Sequence, residues 1–359
     1  MHHAVPVKYR QATEDELRQI IVEAKSRLGR RLMILAHHYQ RLEVALMGDF
    51  VGDSYDLSRR ASEKKESDYI IFCGVHFMAE AADILSADHQ RVYLPNPLAG
   101  CPMADMAEID DVMAAWRYLE EAGLTPKTLP LSYMNSAAEL KAFCGREGGL
   151  ICTSSNAKAA YKWIFDRAEK LFFFPDENLG YNVGRWLGIP DEQIIVWDFR
   201  LQMGGINPER LRRAKLILWK GHCHVHTNFT AQHVATVREQ FPDVKVVVHP
   251  ECVWDVVAAA DAVGSTKFIV DYIDQQPPGS IIAVGTEINL TNRMAHRYPD
   301  KKIFELSGQT CPICANMYRT SLVDLAYTAE NLDTCPPVVV DPDIKAEARI
   351  ALSRMLEVY

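Results

Sequence analysis

The amino-acid sequence predicts an α/β protein made of three similar units, each a parallel sheet covered by helices. Three observations support this prediction. Short apolar runs alternate with helical patterns along nearly the whole chain of 359 residues, as in parallel strands joined by crossover helices. Most runs are continuous, as in strands buried on both faces. A strand-like run followed by a glycine and a cysteine also recurs three times, at Cys101, Cys223 and Cys314.

The predicted strands form three groups along the chain. The first group is RLMILAHHY, DYIIFCG and RVYLPN; the second is TLPLSYMN, GLICTSSN, KLFFFPD, IIVWDF and KLILWKG; the third is VKVVVHPE, the run before GSTKFIVDYI, SIIAVGTE and KKIFEL. This repeat places the domain boundaries at residues 1–105 plus 315–359, residues 106–225 and residues 226–314. We expect the C-terminal helices, SLVDLAYTAENL and the tail DPDIKAEARIALSRMLEVY, to pack on the first domain.

Polar clusters follow corresponding strands of the three groups. The first strands end in AHHYQ, SYMNS and HPEC, and a second set is CGVHF, TSSNA and GSTKF. A third pair is FFPDENLG and AVGTEINL. Ligands of parallel α/β sheets bind outside the carboxyl ends of the strands, so we expect these clusters and the three cysteines on one side of the sheets. Any single cluster is also compatible with a plain helix N-cap.

The three repeated cysteines predict a metal site with an open position. Each is predicted to open a helix, where the helix dipole favours the thiolate. Structural zinc sites use four ligands, and electron-transfer clusters usually use four cysteines, whereas an iron left open can act as a Lewis acid. The other cysteines outside the CxxC pair lack the repeated context and are interpreted as structural thiols: Cys73, Cys144, Cys152, Cys252 and Cys335.

Cys311 and Cys314 form a CxxC pair, which also permits a redox disulfide. The surrounding chain lacks a thioredoxin-sized βαβ unit. We therefore favour Cys314 as the metal ligand and Cys311 as its neighbour.

Charge and composition argue against some classes of binding partner and of cellular location. The net charge is −8 and no block of lysine and arginine stands out, which argues against nucleic acid as a partner. The first residues lack the apolar region of a signal peptide, and no apolar run is long enough for a membrane helix. We expect a cytoplasmic protein whose nine cysteines are thiols or metal ligands.

Together the motifs resemble those of the quinolinate synthase family of NAD biosynthesis. They follow in order along most of the chain: AHHYQ, GDSYDLSRRA, the stretch around Cys101, YMNSAAELKA, CTSSNA, FFPDENLG, WKGHCHVH, HPEC, GSTKF, VGTE and CANM. The resemblance implies three α/β/α domains in a pseudo-threefold arrangement around a central [4Fe-4S] cluster, held by Cys101, Cys223 and Cys314. It also implies an enzyme that condenses iminoaspartate with dihydroxyacetone phosphate to quinolinate, phosphate and water.

The resemblance further implies which residues bind substrate. Four of them are also implied to be catalytic, as proton donors or acceptors: His37, Tyr133, His249 and Glu251. The others supply hydrogen-bond donors to carboxylates and phosphate: Ser54, Asn135, Ser154, Ser265 and Thr266. The segment before TSS is longer than is usual in the family, so the choice between Ser154 and Ser155 stays open. For His38 and His226, a packed histidine is an equally good interpretation.

Two other functions stay open from the residues alone. One is an iron–sulfur hydro-lyase acting on another hydroxy acid. The other is a non-enzymatic redox or metal sensor using Cys311 and Cys314. The synthase hypothesis predicts small-molecule substrates, a functional link to an aspartate oxidase or dehydrogenase that supplies iminoaspartate, and neither a nucleic-acid nor a membrane partner.

Overall fold

The computed structural model of the chain describes residues 5–308 and 310–358. The strands are β1 (Leu32–His37), β2 (Phe50–Gly52), β3 (Tyr69–Cys73), β4 (Arg91–Tyr93), β5 (Thr128–Tyr133), β6 (Leu150–Cys152), β7 (Lys170–Phe174), β8 (Ile194–Trp197), β9 (Leu216–Trp219), β10 (Lys245–Val248), β11 (Ala262–Val263), β12 (Ile281–Gly285) and β13 (Lys302–Glu305). All twelve predicted strands are among them, and β2 is additional.

The α-helices alternate with these strands. They are α1 (Val7–Gln11), α2 (Glu14–Leu28), α3 (Leu42–Ala45), α4 (Ser54–Glu63), α5 (His76–Leu85), α6 (Ile109–Glu121), α7 (Ala138–Arg146), α8 (Ala157–Phe165), α9 (Glu177–Trp186), α10 (Pro208–Arg213), α11 (Ala231–Gln240), α12 (Trp254–Ala259), α13 (Thr266–Asp274), α14 (Ile288–Arg297), α15 (Leu322–Glu330) and α16 (Pro342–Glu357). Within the described ranges, none of them is both long and apolar enough to cross a bilayer.

The chain divides into two compact units. The first contains Cys101 and the described residues before it, together with Ile313–Asp341; the second contains Pro102–Pro312, together with Pro342 and the described residues after it. The first unit holds one sheet and the second unit holds two. The boundaries of the three expected domains stay a prediction.

The three sheets repeat one strand order. The orders are β2-β1-β3-β4, β6-β5-β7-β9-β8 and β11-β10-β12-β13, so the second sheet has β8 as an extra edge strand. All neighbouring strands pair in parallel. In parallel sheets the strands end at the same edge, and crossover helices cover the faces. The predicted α/β class and its threefold repeat are therefore confirmed.

The short strand β2 corrects the matching of the polar clusters. Phe50–Gly52 is too short to stand out as an apolar run. Because β2, β6 and β11 occupy equivalent positions, the GDS that ends in Ser54 corresponds to TSSNA and GSTKF. The cluster CGVHF follows β3 and corresponds instead to FFPDENLG and AVGTEINL. Grouping CGVHF with TSSNA and GSTKF was wrong.

The segments after the three repeated cysteines also differ from the prediction. Each cysteine precedes a single 3₁₀ turn and then an α-helix that begins eight residues after it: α6, α11 and α15. Thr230 and Ser321 cap α11 and α15 through capping boxes, so these hydroxyl residues set the helix starts. The expectation that each cysteine opens an α-helix was wrong, and the helix-dipole argument for the thiolates fails with it.

The last helix packs in the second unit, not with the first domain as expected. α16 lies against α7 and β6, and a Cβ added to Gly145 on α7 would lie 2.0 Å from the carbonyl oxygen of Glu347. The side chain of Asn156 donates to the carbonyls of Met355 (3.1 Å) and Val358 (2.7 Å). Close backbone approach at Gly145 thus determines where the tail packs. By contrast, α15 packs on α2 in the first unit.

Candidate active site

A buried carboxylate forms the centre of the candidate site in the second unit. Glu251 follows β10 in the turn His249–Pro250–Glu251 and is 3% exposed. The hydroxyl of Tyr133, the last residue of β5, donates to Oε1 of Glu251 over 2.5 Å. Nδ1 of His226 lies 2.8 Å from Oε2. Hydrogen bonds between a charged and a neutral group are stronger than neutral ones, so both oxygens of the carboxylate are firmly held.

Two histidines stack beside this carboxylate. The rings of His226 and His249 lie 4.4 Å apart and are nearly parallel, with an interplanar angle of 16°. Nε2 of His226 lies 3.1 Å from Oγ1 of Thr286, and Nδ1 of His249 accepts from the backbone N–H of Glu251 over 3.3 Å. Each ring is therefore held in place beside the carboxylate through its ring nitrogens.

The pKa values of two buried carboxyl groups are shifted in opposite directions. Burial disfavours ionisation of Glu251, but the charges of His226 and His249 and the bonds from His226 and Tyr133 outweigh it and lower the pKa of Glu251. Burial, and then the charge of Glu251, raise the pKa of Asp176 well above its ordinary value. The lowered pKa keeps Glu251 ionised at neutral pH, whereas the raised pKa of Asp176 favours its protonated form. Opposite shifts in neighbouring groups are typical of acid–base sites.

Asp176 begins α9 and is fully buried. Its Oδ1 accepts from the backbone N–H of Leu179 over 2.7 Å, as in a helix cap. Its Oδ2 has no hydrogen-bond partner within the described part of the chain. Because an unsatisfied buried polar atom is uncommon, this carboxyl group is a notable feature of the site.

A cavity of about 290 Å³ lies where α8 and α13 begin. Ser154, Ser155 and Ser265 line it, and Lys158 and Lys267 contribute positive charge. Lys267 also pairs with Asp271, which lines the same cavity. Pro250, between His249 and Glu251, forms part of the wall. The structure therefore brings Ser154 and Ser265 together, and Ser155 lines the cavity as well.

Cys223 lies at the edge of the acid–base cluster. Its Sγ, a ring nitrogen of His226 and a carboxylate oxygen of Glu251 all lie within 4.8 Å of one another, close enough to hold a metal ion together. His226 and Glu251 are already hydrogen-bonded to each other, which leaves the thiol of Cys223 as the ligand best suited to a soft metal centre.

The nine cysteines fall into three classes by burial. Burial raises the pKa of five thiols, so these stay protonated and are poor ligands: Cys73, Cys144, Cys152, Cys252 and Cys335. Cys101, Cys223 and Cys314 are half-buried, and Cys311 is exposed. The half-buried class is the repeated set that the sequence predicts as ligands.

The other predicted residues have defined positions. In the first unit, His37 ends β1, is buried and accepts on Nδ1 from the N–H of Tyr39 over 3.1 Å, and Ser54 begins α4. Cys101 and Cys314 belong to the same unit. In the second unit, Asn135 is half-buried just after β5, and Thr266 is buried at the first position of α13.

Sequence reasoning underrates three residues of the second unit. His226 has a sequence signal, since it follows Cys223 by three residues, but only its hydrogen bond to Glu251 separates it from a packed histidine. Asp176 lies in the quoted stretch FFPDENLG and Asn182 lies two residues after it, without a pattern that indicates their contacts. Those contacts arise from tertiary packing.

A buried carboxylate between a tyrosine and two histidines, at the carboxyl ends of parallel strands, is typical of an α/β enzyme with acid–base chemistry. The family described as Quinolinate synthetase A protein matches residues 19–357. Proteins named quinolinate synthase are similar over nearly the whole chain. That of Acidobacterium capsulatum is 49% identical, with 94% of this chain and 92% of the relative covered. That of Corynebacterium glutamicum is 46% identical, with 99% and 90% covered. The chain belongs to the quinolinate synthase family of enzymes.

Proposed function

We propose that the protein condenses iminoaspartate with dihydroxyacetone phosphate to give quinolinate, one phosphate and two waters. The buried set of Tyr133, Glu251 and His226 is the observation that carries this proposal, together with family membership. The reaction needs protons to be moved around an enamine, a carbonyl and the departing waters. The ionised Glu251 can orient Tyr133 and His226, both hydrogen-bonded to it, and these two side chains can donate and accept the protons.

The cavity at the starts of α8 and α13 suits anionic substrates. Its serines and lysines offer donors and positive charge, and the first turns of the two helices present backbone N–H groups. We assign Ser154 and Ser265 to substrate binding there, with Thr266 and Asn135 beside them. In the first unit, His37 and Ser54 take the corresponding binding roles by their positions after β1 and β2.

We also propose that Cys101, Cys223 and Cys314 hold a [4Fe-4S] cluster. The donor set fits, because these thiols are half-buried whereas burial keeps five others protonated. When bound, a cluster with one iron open to substrate supplies a Lewis acid. The residues of this chain then orient the substrate and exchange its protons. Exposed Cys311 is not assigned as a ligand.

The test is quinolinate formation by protein purified without oxygen and reconstituted with iron and sulfide. Supplied with dihydroxyacetone phosphate and freshly generated iminoaspartate, the wild type is expected to form quinolinate and release phosphate in equal amounts. Cys223→Ser is expected to lose both the cluster and the activity, whereas Cys311→Ser keeps both. A reconstituted wild type that forms no quinolinate would refute the proposal.

The same hypothesis extends to cellular context. Iminoaspartate carries a hydrolysable C=N bond, so an aspartate oxidase or dehydrogenase that supplies it is expected to act close by. We propose the cytoplasm as the site of the reaction. A pull-down of the oxidase with the tagged protein, compared with tag alone, tests the link.

A further inference from the structure

Asn182 holds both sides of the turn that carries Glu251. It lies on α9 and is fully buried. Its Nδ2 donates to the carbonyl of Pro250 over 2.7 Å and to the carbonyl of Cys252 over 2.8 Å. These two residues flank Glu251 in the chain, so one amide group fixes the backbone on either side of the carboxylate.

The orientation of this amide is determined by its neighbours. Two carbonyl oxygens face it, and only the NH₂ end has donors for them. The opposite atom, Oδ1, has no hydrogen-bond partner among the residues that the structure describes. A buried unsatisfied acceptor destabilises the fold, and the two bonds from Nδ2 are made in spite of that cost. The arrangement serves the turn at 250–252.

The helix that presents Asn182 is itself fixed against the second sheet. A Cβ added to Gly180 would lie 2.5 Å from Leu218, and one added to Gly184 would lie 2.7 Å from Leu216. These glycines are one turn apart and let α9 sit directly on the sheet. Asn182 lies between them in sequence, roughly 200° around the helix from each, and so faces away from this contact.

Other bonds also hold the turn. The N–H of His249 donates to the carbonyl of Gly285 at the end of β12 over 3.0 Å, and Tyr133 and His226 hold the carboxylate itself. The N–H of Cys252 donates to the carbonyl of His249 over 3.0 Å, and the N–H of Glu251 donates to Nδ1 of His249 over 3.3 Å. Both bonds lie within the turn itself. The two bonds from Asn182 tie the turn to α9, which packs on β7 and β9 of the sheet that also contains β5, the strand of Tyr133.

We propose that Asn182 is a positioning residue for the reaction, which sets the carboxylate of Glu251 between Tyr133 and His226. The inference rests on the proposed function of Glu251, which is to hold Tyr133 and His226 for proton transfer. A misplacement of the order of 1 Å in a reacting group lowers the rate by about a hundredfold. Loss of the two bonds is therefore expected to reduce turnover while substrate affinity is kept.

The main variant is Asn182→Leu, which is close in volume and removes both donors together with the unsatisfied oxygen. Tyr161→Phe is the matched control. Its hydroxyl is buried and donates to the carbonyl of Gly180 on the same helix over 3.1 Å, without contact to the turn. Both variants lose a buried bond at α9, and only one of them releases Glu251.

Reconstituted Asn182→Leu is expected to show a kcat lowered about 10- to 100-fold, with both KM values within about twofold of wild type and an unchanged iron content. Tyr161→Phe is expected to keep kcat within about twofold. If Asn182→Leu retains wild-type kcat, or if the control loses as much, the positioning role is wrong. A wild type without activity would instead refute the proposed function.

A second measurement does not depend on activity. Amide hydrogen exchange of the peptide covering residues 249–253 is expected to quicken in Asn182→Leu and to stay unchanged in Tyr161→Phe. Unchanged exchange in Asn182→Leu would overturn the inference whatever the activity. If the leucine variant does not fold, Asn182→Ser, with a smaller side chain and one hydroxyl donor, is expected to show the same changes at partial size, and wild-type exchange in it would also refute the role.

Discussion

Removal of the hydroxyl of Tyr133 gives the most direct test of the buried carboxylate. Tyr133→Phe deletes one oxygen and leaves the ring, which is 5% exposed, in its packing. The lost bond is short, at 2.5 Å, and its acceptor is the ionised Glu251. A hydrogen bond to a charged group contributes about 1.5–3 kcal/mol.

This energy converts into a rate. If the bond is used in the transition state, each 1.36 kcal/mol is a factor of ten, so kcat/KM for quinolinate formation falls roughly 10- to 150-fold. The free energy of unfolding is expected to fall by about 1.5–3 kcal/mol, because the carboxylate loses a partner in a buried place. Urea denaturation of the reconstituted protein and initial rates on the same preparation measure both quantities.

The control again is Tyr161→Phe, whose hydroxyl donates to a neutral carbonyl over 3.1 Å. A neutral bond contributes about 0.5–1.5 kcal/mol, and its acceptor lies on α9 and not on the turn that carries Glu251, so activity is expected to stay near that of wild type. If Tyr133→Phe lost no more stability or activity than Tyr161→Phe, the reasoning about the charged acceptor would be refuted.

Three further predictions concern pH, packing and the cysteines. Folding lowers the pKa of Glu251 from its ordinary value of 4.5. The ionised carboxylate therefore stabilises the folded protein at pH values above 4.5, and this stabilisation is lost as the pH falls below 4.5 towards the lowered pKa. Urea midpoints between pH 7 and 3 should therefore fall less in Glu251→Gln. Gly145→Ala places a Cβ 2.0 Å from the carbonyl of Glu347 and is expected to cost about 1–3 kcal/mol, seen as a lower melting temperature than that of wild type. Cys314→Ser should abolish iron and sulfide binding whereas Cys311→Ser should not, and equal loss in both would favour the sensor hypothesis.

Most of the fold could be predicted from the sequence because parallel strands buried on both faces are continuous apolar runs. β2 could not, since a three-residue strand at a sheet edge has too few apolar side chains to form a pattern. The position of α16 could not be predicted either. Its amphipathic pattern indicates which face of the helix is buried, but not which surface packs against that face. The close contact at Gly145 shows which surface this is. The sequence alone does not predict that contact, because a glycine within a helix has several explanations.

The candidate site shows the same division. Polar clusters at strand ends indicate Tyr133, His249 and Glu251, because position after a strand is visible in the sequence. His226 contacts a residue 25 positions away in the sequence, and Asn182 contacts residues at least 68 positions away. A single sequence does not indicate which distant residues pair. Their importance follows only from the distances.

The first unit is discontinuous in the chain, and this has a consequence for its synthesis. Its core joins Ile21 and Ile34, near the start, with Leu325 and Ala329, near the end. At a ribosomal rate of roughly 5–20 residues per second, the roughly 290 residues between Ile34 and Leu325 take on the order of 15–60 s to appear. During that interval β1 and α2 have already left the ribosome, but the helix that covers them has not yet been synthesised. We expect the nascent amino-terminal sheet to expose apolar surface during synthesis, which is the kind of surface that chaperones bind.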